Sequence, residues 1–324
     1  MVEPTVSDTI LIQRLEEMEG LRKKARKRVL AGFGVLLLAV SYFILVVVLT
    51  ENGGSFLMFL GGILVWGGIL IVVFLWANKA TSEYKDLFKD QIVREIIRRH
   101  NPEWQYFPEK SISTEDYYES ELFKTRHDRF NGDDYVEGAE GDTMFAFSEL
   151  HTEYKTEHRD SKGHKSTSWH TIFRGLFLFA EFNKAIQGRT FVLPDSLQGF
   201  LGRFGQKLQS WNKSHGELVK LENIEFEKHF VVYSSSQIEA RYILTPRIME
   251  NLVDFREKWK HKLHLSFKGT RMYFAAGFNE SLFEPRLFTS GVRPEDLQKM
   301  KHLLDLVSSI IKEMGLNTRI WTVQ

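Results

Sequence analysis

The chain has 324 residues, a formal net charge of +1 and no cysteine. Without cysteine it contains no disulfide, no thiolate nucleophile and no Cys-ligated zinc or iron–sulfur centre. Residues 1–80 hold 8 of the 43 Lys and Arg and 6 of the 42 Asp and Glu, which leaves 35 basic and 36 acidic residues in 81–324. This nearly neutral part gives no indication of nucleic-acid binding, and 26 Phe and 7 Trp supply ample apolar surface for a folded core.

Two uncharged apolar runs near the N-terminus predict a pair of transmembrane helices. Residues 29–49 form a run of 21 and residues 56–77 a run of 22, and about 20 helical residues cross the hydrocarbon layer of a bilayer. Only residues 50–55 separate the runs, which suits a tight turn between antiparallel helices. A cleaved signal peptide is the alternative for the first run, but the run is too long and a second span follows directly.

Basic residues flank this hairpin on one side. The flank before the first span consists of Arg22, Lys23, Lys24, Arg26, Lys27 and Arg28. The turn has no basic residue, whereas Lys79, Lys85 and Lys89 follow the second span. The positive-inside rule therefore places both termini in the cytoplasm. Anionic membrane lipid is the expected contact of the flank, and the absence of ionisable residues from both spans argues against an ion path.

Helical periodicity extends on both sides of the hairpin. Residues 1–28 predict a cytoplasmic N-terminal helix that continues into the first span. Residues 78–130 predict a helical stalk, in which one helix continues from the second span to His100 and another runs from Thr114 to Arg126.

Residues 131–324 predict an α+β cytoplasmic domain, with an antiparallel sheet of six to eight strands and helices packed against it. The predicted strands are 143–155, 169–182, 189–193, 217–221, 226–234, 263–267 and 271–278. A long loop at 156–168 joins the first two strands, and a turn at 268–270 joins the last two. The predicted helices are 195–211, 245–260 and 294–315.

Two sequence blocks in this region resemble a bacterial protein family. The first comprises residues 171–177 (TIFRGLF) and 188–195 (GRTFVLPD), and the second comprises 226–233 (FEKHFVVY) and 239–246 (EARYILTP). The family is catalogued only as a domain of unknown function on two-span membrane proteins, and the similarity covers most of 80–324. The resemblance implies a bacterial inner-membrane protein without assigning an activity. It also implies a LemA-type membrane protein as a partner.

Histidines around the predicted loop are the main candidates for metal binding. Neutral imidazoles and carboxylates are good ligands for zinc. The candidate ligands are His151, Glu153, His158, His164 and His170. Their spacing matches no recognised ligand motif, so a solvated polar surface is the alternative reading. We expect no cofactor.

Other constellations favour structural roles. Glycines at positions 199, 202 and 205 lack the Gly-x4-Gly-Lys-Ser/Thr pattern of a phosphate loop. Acidic residues around Gly132, including Asp133 and Asp134, depart from the EF-hand spacing and predict a turn. There is no Gly-x-Ser-x-Gly elbow, and catalytic residues stay unknown.

The leading functional hypothesis is a non-enzymatic, membrane-anchored module that binds or organises a protein complex at the cytoplasmic face of the inner membrane. One alternative is a lipid or small-ligand binding domain at the membrane surface. Another is a hydrolase whose site the sequence does not reveal. A homo-oligomer is compatible with the glycines in both spans.

Overall fold

The computed structural model describes six parts of the chain. They are residues 6–49, 56–159, 165–195, 215–278, 280–289 and 294–320. The chain divides into two compact units, the first built from Met1–Ile96 and Phe283–Leu297 and the second from Ile97–Leu282 and Gln298–Gln324.

Two long helices dominate the first unit. Helix α1 spans Val6–Leu49 and α2 spans Phe56–Phe88. A π-helical segment, Lys89–Val93, follows α2, and α3 (Arg94–His100) completes the helical run, so the helix predicted to continue to His100 is present. The stretch within Arg14–Val48 and the stretch within Met58–His100 are long and apolar enough to cross a membrane, and only 11% and 6% of their most apolar windows are buried. These helices therefore present their apolar side chains outward.

A return segment, residues 283–289, packs against the helices of the first unit. The buried Arg22 guanidinium donates to the Glu19 carboxylate at 2.7 Å and to the Leu287 carbonyl oxygen at 2.8 Å. The Lys85 ammonium lies 2.5 Å from the Glu284 carboxylate, and buried Lys89 lies 3.8 Å from it. Buried charges are stable only when they are paired. Glu19 on α1 pairs with Arg22, and Glu284 of the return segment pairs with Lys89.

The second unit is built on a sheet in which every strand pair is antiparallel. The strands that lie in the described part of the chain are β1 (Gln105–Phe107), β2 (Arg129–Glu140), β3 (Thr143–Arg159), β4 (Lys165–Pro194), β5 (Glu217–Val219), β6 (Phe230–Ser234) and β7 (Leu263–Gly277). The strand order is β1-β2-β3-β4-β6-β5, and β7 pairs with β4 outside this path. The predicted antiparallel α+β fold is confirmed.

Among the described residues, the helices that follow α3 are short, apart from the last two. They are α4 (Thr114–Glu119), α5 (Ile224–His229), α6 (Gln237–Ile243), α7 (Pro246–Trp259) and α8 (Pro294–Ile320). Capping explains their starts: Ser113 accepts a hydrogen bond from the Asp116 amide, and Thr245 accepts one from the Ile248 amide. The predicted start of α7 is therefore correct.

Long strand pairing overturns two predicted breaks in the chain. Residues 169–182 and 189–193 belong to one strand, β4, and the predicted hairpin turn at 268–270 lies inside β7. The two strands pair with each other from Gly175 opposite Gly277 to Val192 opposite Leu265, with register shifts near Ile186. Gly269, at φ +58°, therefore accommodates an irregularity in a continuous strand instead of a turn.

Other boundaries also differ from the predictions. The loop predicted at 156–168 is shorter because β3 reaches Arg159 and β4 begins at Lys165. Residues 226–229 are helical because Asn223 caps the Phe226 amide and starts α5 there. Helix α4 ends before Arg126 because Glu121 adopts a left-handed conformation (φ +56°), and α8 continues past Gly315. The helix predicted over 195–211 falls almost entirely outside the described residues.

An aromatic core fills one face of the sheet. Its buried members are Ile112, Tyr117, Leu122, Leu150, Phe173, Phe177, Phe191, Leu193, Val231, Tyr233, Tyr273 and Ala275. The Tyr117 ring lies 5.4 Å from the Phe177 ring, and its hydroxyl is 3.0 Å from the Thr152 hydroxyl, so the buried polar group is satisfied. Helix α4 thus contributes its one fully buried side chain to the sheet core.

Gly175 is required by the close approach of β4 and β7. Its φ of +149° is a conformation that L side chains rarely adopt, and a Cβ atom there would overlap the carbonyl oxygen of Ala276.

We expect Gly175→Ala to lower the free energy of unfolding by at least about 2 kcal/mol. Urea unfolding of the full-length protein in mild detergent measures this. Gly20→Ala is the control, since its Cβ meets nothing within 4 Å on α1, and equal stability of the two variants would contradict the prediction.

The stability of the second unit should fall in mild acid because of His264. Burial lowers the pKa of His264 from 6.5 to about 4, and its Nδ1 atom is buried without a hydrogen-bond partner among the described residues. The folded ring stays neutral between pH 6.5 and 4 while the unfolded ring takes up a proton. Stability is therefore complete above about pH 6.5 and is lost as pH falls, by about 2 kcal/mol at pH 5.

Urea unfolding at pH 7.5 and pH 5 tests this expectation. His264→Gln should reduce the dependence of the unfolding midpoint on pH by about half, because burial also lowers the pKa of His261 to about 4. His158→Gln, which changes an exposed side chain on β3, should leave the dependence intact. A His264 variant with the same pH dependence as the unmodified protein would show that another group is responsible.

Candidate functional site: a polar cleft on the sheet

The histidines predicted as metal ligands occupy separate positions along the β3–β4 pair. His151 Nε2 lies 3.3 Å from the Thr171 hydroxyl and 3.8 Å from the Glu153 carboxylate. His170 lies opposite Tyr154 in the strand register, stacks on that ring at 5.0 Å, and contacts the Thr156 hydroxyl at 2.9 Å.

Of the remaining two candidate histidines, the structure describes only His158. His158 is exposed and pairs with Ser166, four residues along β3 from the Tyr154–His170 pair. That separation is about 13 Å at the usual rise per strand residue. His164 lies outside the described residues, so metal binding by the predicted set stays a prediction.

The basic flank of the first span lies on α1 and divides into three environments. Lys23, Lys24, Arg26 and Lys27 are exposed. Arg22 is buried against Glu19, and the Arg28 guanidinium lies 4.6 Å from the centre of the Trp76 ring. Four of the six predicted residues are thus available to an anionic surface.

A polar cleft of about 290 Å³ lies on the second unit, over β2, β3 and β4. Its lining residues are Asn131, Gly132, Asp133, Glu149, Leu150, His151, Arg174 and Ser281. Strand register builds the floor, because Asn131 lies opposite His151 and His151 lies opposite Arg174 on three adjacent strands. After β7 the chain contributes Ser281, and the Leu282 amide donates to the Glu149 carboxylate.

One end of the cleft is negatively charged. Asp133 and Glu149 face each other in the register of β2 and β3, and the carboxylate oxygens of Asp133, Asp134 and Glu149 lie within 4.8 Å of one another. A β-bulge between Asp133 and Val136 brings Asp134 into this group. Asp134 adopts φ +57°, is fully buried, and accepts a hydrogen bond from the Tyr106 hydroxyl. Aspartate tolerates this left-handed conformation better than most residues.

Arg174 gives the same cleft a positive group. Its guanidinium makes no hydrogen bond or ion pair with any residue that the structure describes, whereas the Arg174 carbonyl oxygen accepts from the Phe278 amide. An exposed arginine of this kind offers a planar set of five donors to a carboxylate or phosphate. The cleft is therefore lined both by carboxylates and by an exposed guanidinium.

A second acidic group lies on the surface. His229 on α5 lies 3.9 Å from the Glu225 carboxylate and 3.4 Å from the Glu257 carboxylate. Glu225 and Glu257 are exposed, so a surface ion-pair cluster accounts for the arrangement.

The cleft residues were partly visible in the sequence. Asp133 and Asp134 were noticed but interpreted as a turn, and His151 was proposed as a metal ligand. Arg174 and Ser281 belong to no recognisable binding motif in the sequence. Long-range strand pairing brings these positions together, and the spacing of the residues in the sequence does not indicate that pairing.

Family comparison supports the predicted resemblance. The second unit is an α+β domain, and the chain that carries it has two helices long and apolar enough to span a membrane. Residues 171–316 match a family described as "Protein of unknown function (DUF3137)". Both sequence blocks fall inside this match, which confirms the predicted resemblance. The match is narrower than expected, since residues 80–170 lie outside it.

Comparisons with curated proteins and with solved structures assign no function to the chain. No curated protein matches the chain. Among solved structures, the chain is similar to the crystal structure of the mycobacterial trehalose monomycolate transport factor A, TtfA, at 9% identity and a TM-score of 0.28. The alignment covers 67% of this chain and 96% of that one. A likeness at this level carries no argument about function.

Proposed function

We propose that the chain is a membrane-anchored module that binds or organises a protein complex at the cytoplasmic face of the bacterial inner membrane. The observation that carries the proposal is the exposure of the apolar side chains of α1 and α2, of which Leu37, Leu64 and Val72 are more than 60% exposed. Exposed apolar surface costs about 25 cal/mol per Å² in water, and a bilayer removes that cost.

The orientation of the anchor rests on the exposed basic residues of α1. Lys23, Lys24, Arg26 and Lys27 precede the apolar stretch, and their charges favour the cytoplasmic side. Arg28 stacked on Trp76 joins the two helices where both apolar stretches end. An amphipathic ring at that depth suits the headgroup layer.

An exposed apolar patch on the second unit favours a protein partner. Leu218 on β5 is 44% exposed, and Ile238 and Tyr242 on α6 are 70% and 58% exposed. Helix α6 is held beside β5 because the Gln237 amide donates to the Leu218 carbonyl oxygen at 3.1 Å. Large apolar side chains that cluster on a surface are typical of interaction sites.

Several finer possibilities belong to the same proposal. A LemA-type membrane protein is the partner that the family resemblance suggests, anionic lipid is the contact of the basic flank, and a second copy of this chain is a further candidate.

The hydrolase alternative gains no support in the cleft. Ser281 makes no hydrogen bond to a described residue, and His151 contacts Thr171 and Glu153 instead.

Topology is the first test. Reporter fusions after residue 53 and at the C-terminus should report opposite sides of the membrane, with the C-terminal reporter active only in the cytoplasm. Replacing the four exposed basic residues of α1 with glutamine should weaken this bias. A periplasmic C-terminus in the unmodified protein would overturn the proposed orientation.

Partner capture is the second test. We expect full-length protein purified from native membranes in mild detergent to retain a stoichiometric protein, identified by mass spectrometry. Moving residues 81–324 onto an unrelated two-span anchor should preserve capture. Ile238→Asp combined with Tyr242→Asp should reduce capture at least tenfold, because burying the two carboxylates in an apolar contact is costly.

Met144→Asp provides the matched control, since Met144 is 57% exposed and lies on β3 instead of on the β5–α6 patch. It should leave capture unchanged. Equal capture by the patch variant and by the Met144 control would exclude this surface. Absence of any partner from the unmodified protein would contradict the proposed function itself.

A further inference from the structure

Successive contacts of the return segment move along α2 toward its apolar run. Glu284 lies 2.5 Å from Lys85 and 3.8 Å from Lys89, which are eight and twelve residues beyond the last residue of that run. Two residues later, the Arg286 carbonyl oxygen accepts a hydrogen bond at 3.5 Å from the Tyr84 hydroxyl, seven residues beyond the run. The return segment therefore approaches the apolar run as it proceeds from Glu284 to Arg286.

A contact with α1 places the next residue at the same level. The Leu287 carbonyl oxygen accepts a hydrogen bond at 2.8 Å from Arg22, which precedes the first residue of the apolar run of α1 by seven residues. Seven helical residues span about 10 Å. Contacts with both helices therefore place Arg286 and Leu287 about 10 Å from the apolar runs, measured along the helix axes.

Phe288 follows at this level, and its side chain is 54% exposed. One residue advances the chain by up to about 3.8 Å. The headgroup layer of a bilayer extends about 5–8 Å beyond each side of the hydrocarbon. The Phe288 ring is therefore within reach of the headgroups of a bilayer that α1 and α2 span. Phenylalanine side chains of interfacial segments are buried at the boundary between headgroups and acyl chains.

The charges at this level suit a membrane surface. Over residues 23–28, α1 exposes four basic side chains and no acidic one. Over the corresponding residues 78–84, α2 exposes Lys79 and Glu83. This side of the first unit thus carries an excess of exposed positive charge where the apolar runs end. Anionic headgroups attract basic residues placed in this way, and the attraction holds this level of the unit close to the bilayer.

We propose that Phe288 is seated in the headgroup layer and fastens the return segment to the surface of the bilayer that α1 and α2 span. The inference rests on the proposed membrane anchoring and adds a peripheral contact to it. The bilayer is the occupant that the structure favours, because the exposed apolar surface of the two helices begins about 10 Å from Leu287. A single exposed apolar side chain is common on proteins, so the position of Phe288 carries more weight than its exposure.

Site-specific fluorescence quenching tests the proposal with the full-length protein in nanodiscs of phosphatidylglycerol and phosphatidylcholine. The chain has no cysteine, so one introduced cysteine carries the only label. The labelled variants are Thr289→Cys beside Phe288, Glu16→Cys on α1, and Leu64→Cys in the second apolar run. Glu16 precedes the run of α1 by thirteen residues, or about 20 Å. We expect a headgroup nitroxide to quench the Thr289 label at least about threefold more strongly than the Glu16 label, because of this difference in depth.

Substitutions of Phe288 show whether its ring holds the label at the membrane. Phe288→Asp should reduce quenching of the Thr289 label to the level of the Glu16 label, whereas Phe288→Trp should preserve it, since tryptophan suits the interface. Met144→Asp is the matched control, because Met144 is 57% exposed but lies on β3, and it should leave quenching unchanged. Equal quenching with aspartate and tryptophan at position 288 would overturn the proposal.

The Leu64 label separates failure of this inference from failure of the anchor. If an acyl-chain nitroxide quenches the Leu64 label while the Thr289 label responds no more than the Glu16 label, only the seating of Phe288 is overturned. No quenching at Leu64 would overturn the membrane anchoring and this inference with it. A Thr289 label that is shielded from iodide in solution, yet is not quenched by lipid nitroxides, would show that protein covers the segment and would also overturn the proposal.

Discussion

Backbone pairing of β4 is the constraint on which the second unit depends. This 30-residue strand pairs with β3 from Lys165 to Glu181, with β7 from Gly175 to Val192, and with β6 from Thr190 to Pro194. The positions of Arg174 and of the chain after β7 in the site follow from that arrangement. The β3 register places His151 beside Arg174, and the β7 register brings the chain to Leu282, whose amide reaches Glu149. A shift of one residue would turn each of these side chains to the opposite face.

The sequence predicted features whose causes are local. Uncharged runs of about twenty residues gave the two long helices, and Ser113 and Thr245 gave two helix starts, because a cap acts on amides two or three residues away. Strand continuity was harder to predict. Lys268, Gly269 and Thr270 have the composition of a turn, yet pairing with β4 keeps them extended. Turn propensity is a weak preference that a long ladder of hydrogen bonds overrides.

The site was predicted only in fragments, for a related reason. Asp134 reaches Glu149 through a bulge in β2, and Arg174 reaches His151 through register across β3 and β4. Neither relation has a fixed sequence spacing, unlike the spacing of zinc or calcium motifs. The predicted histidine ligands show the opposite relation, because residues that are close in sequence are spread along the β3–β4 hairpin. Exposure of Arg174 and burial of Glu149 are likewise properties of packing and not of either residue type.

The unbroken course of α1 has a mechanical consequence. A helix of 44 residues is about 66 Å long, so it is far longer than the roughly 30 Å thickness of a hydrocarbon layer. Because the backbone hydrogen bonds continue from Arg14 into the apolar stretch, the helix behaves as a lever whose two arms tilt together. A change in bilayer thickness that tilts the apolar arm by about 10° would displace the other arm at Arg14 by about 4 Å. In a membrane-spanning α1, a change in bilayer thickness would thereby become a displacement in the aqueous phase.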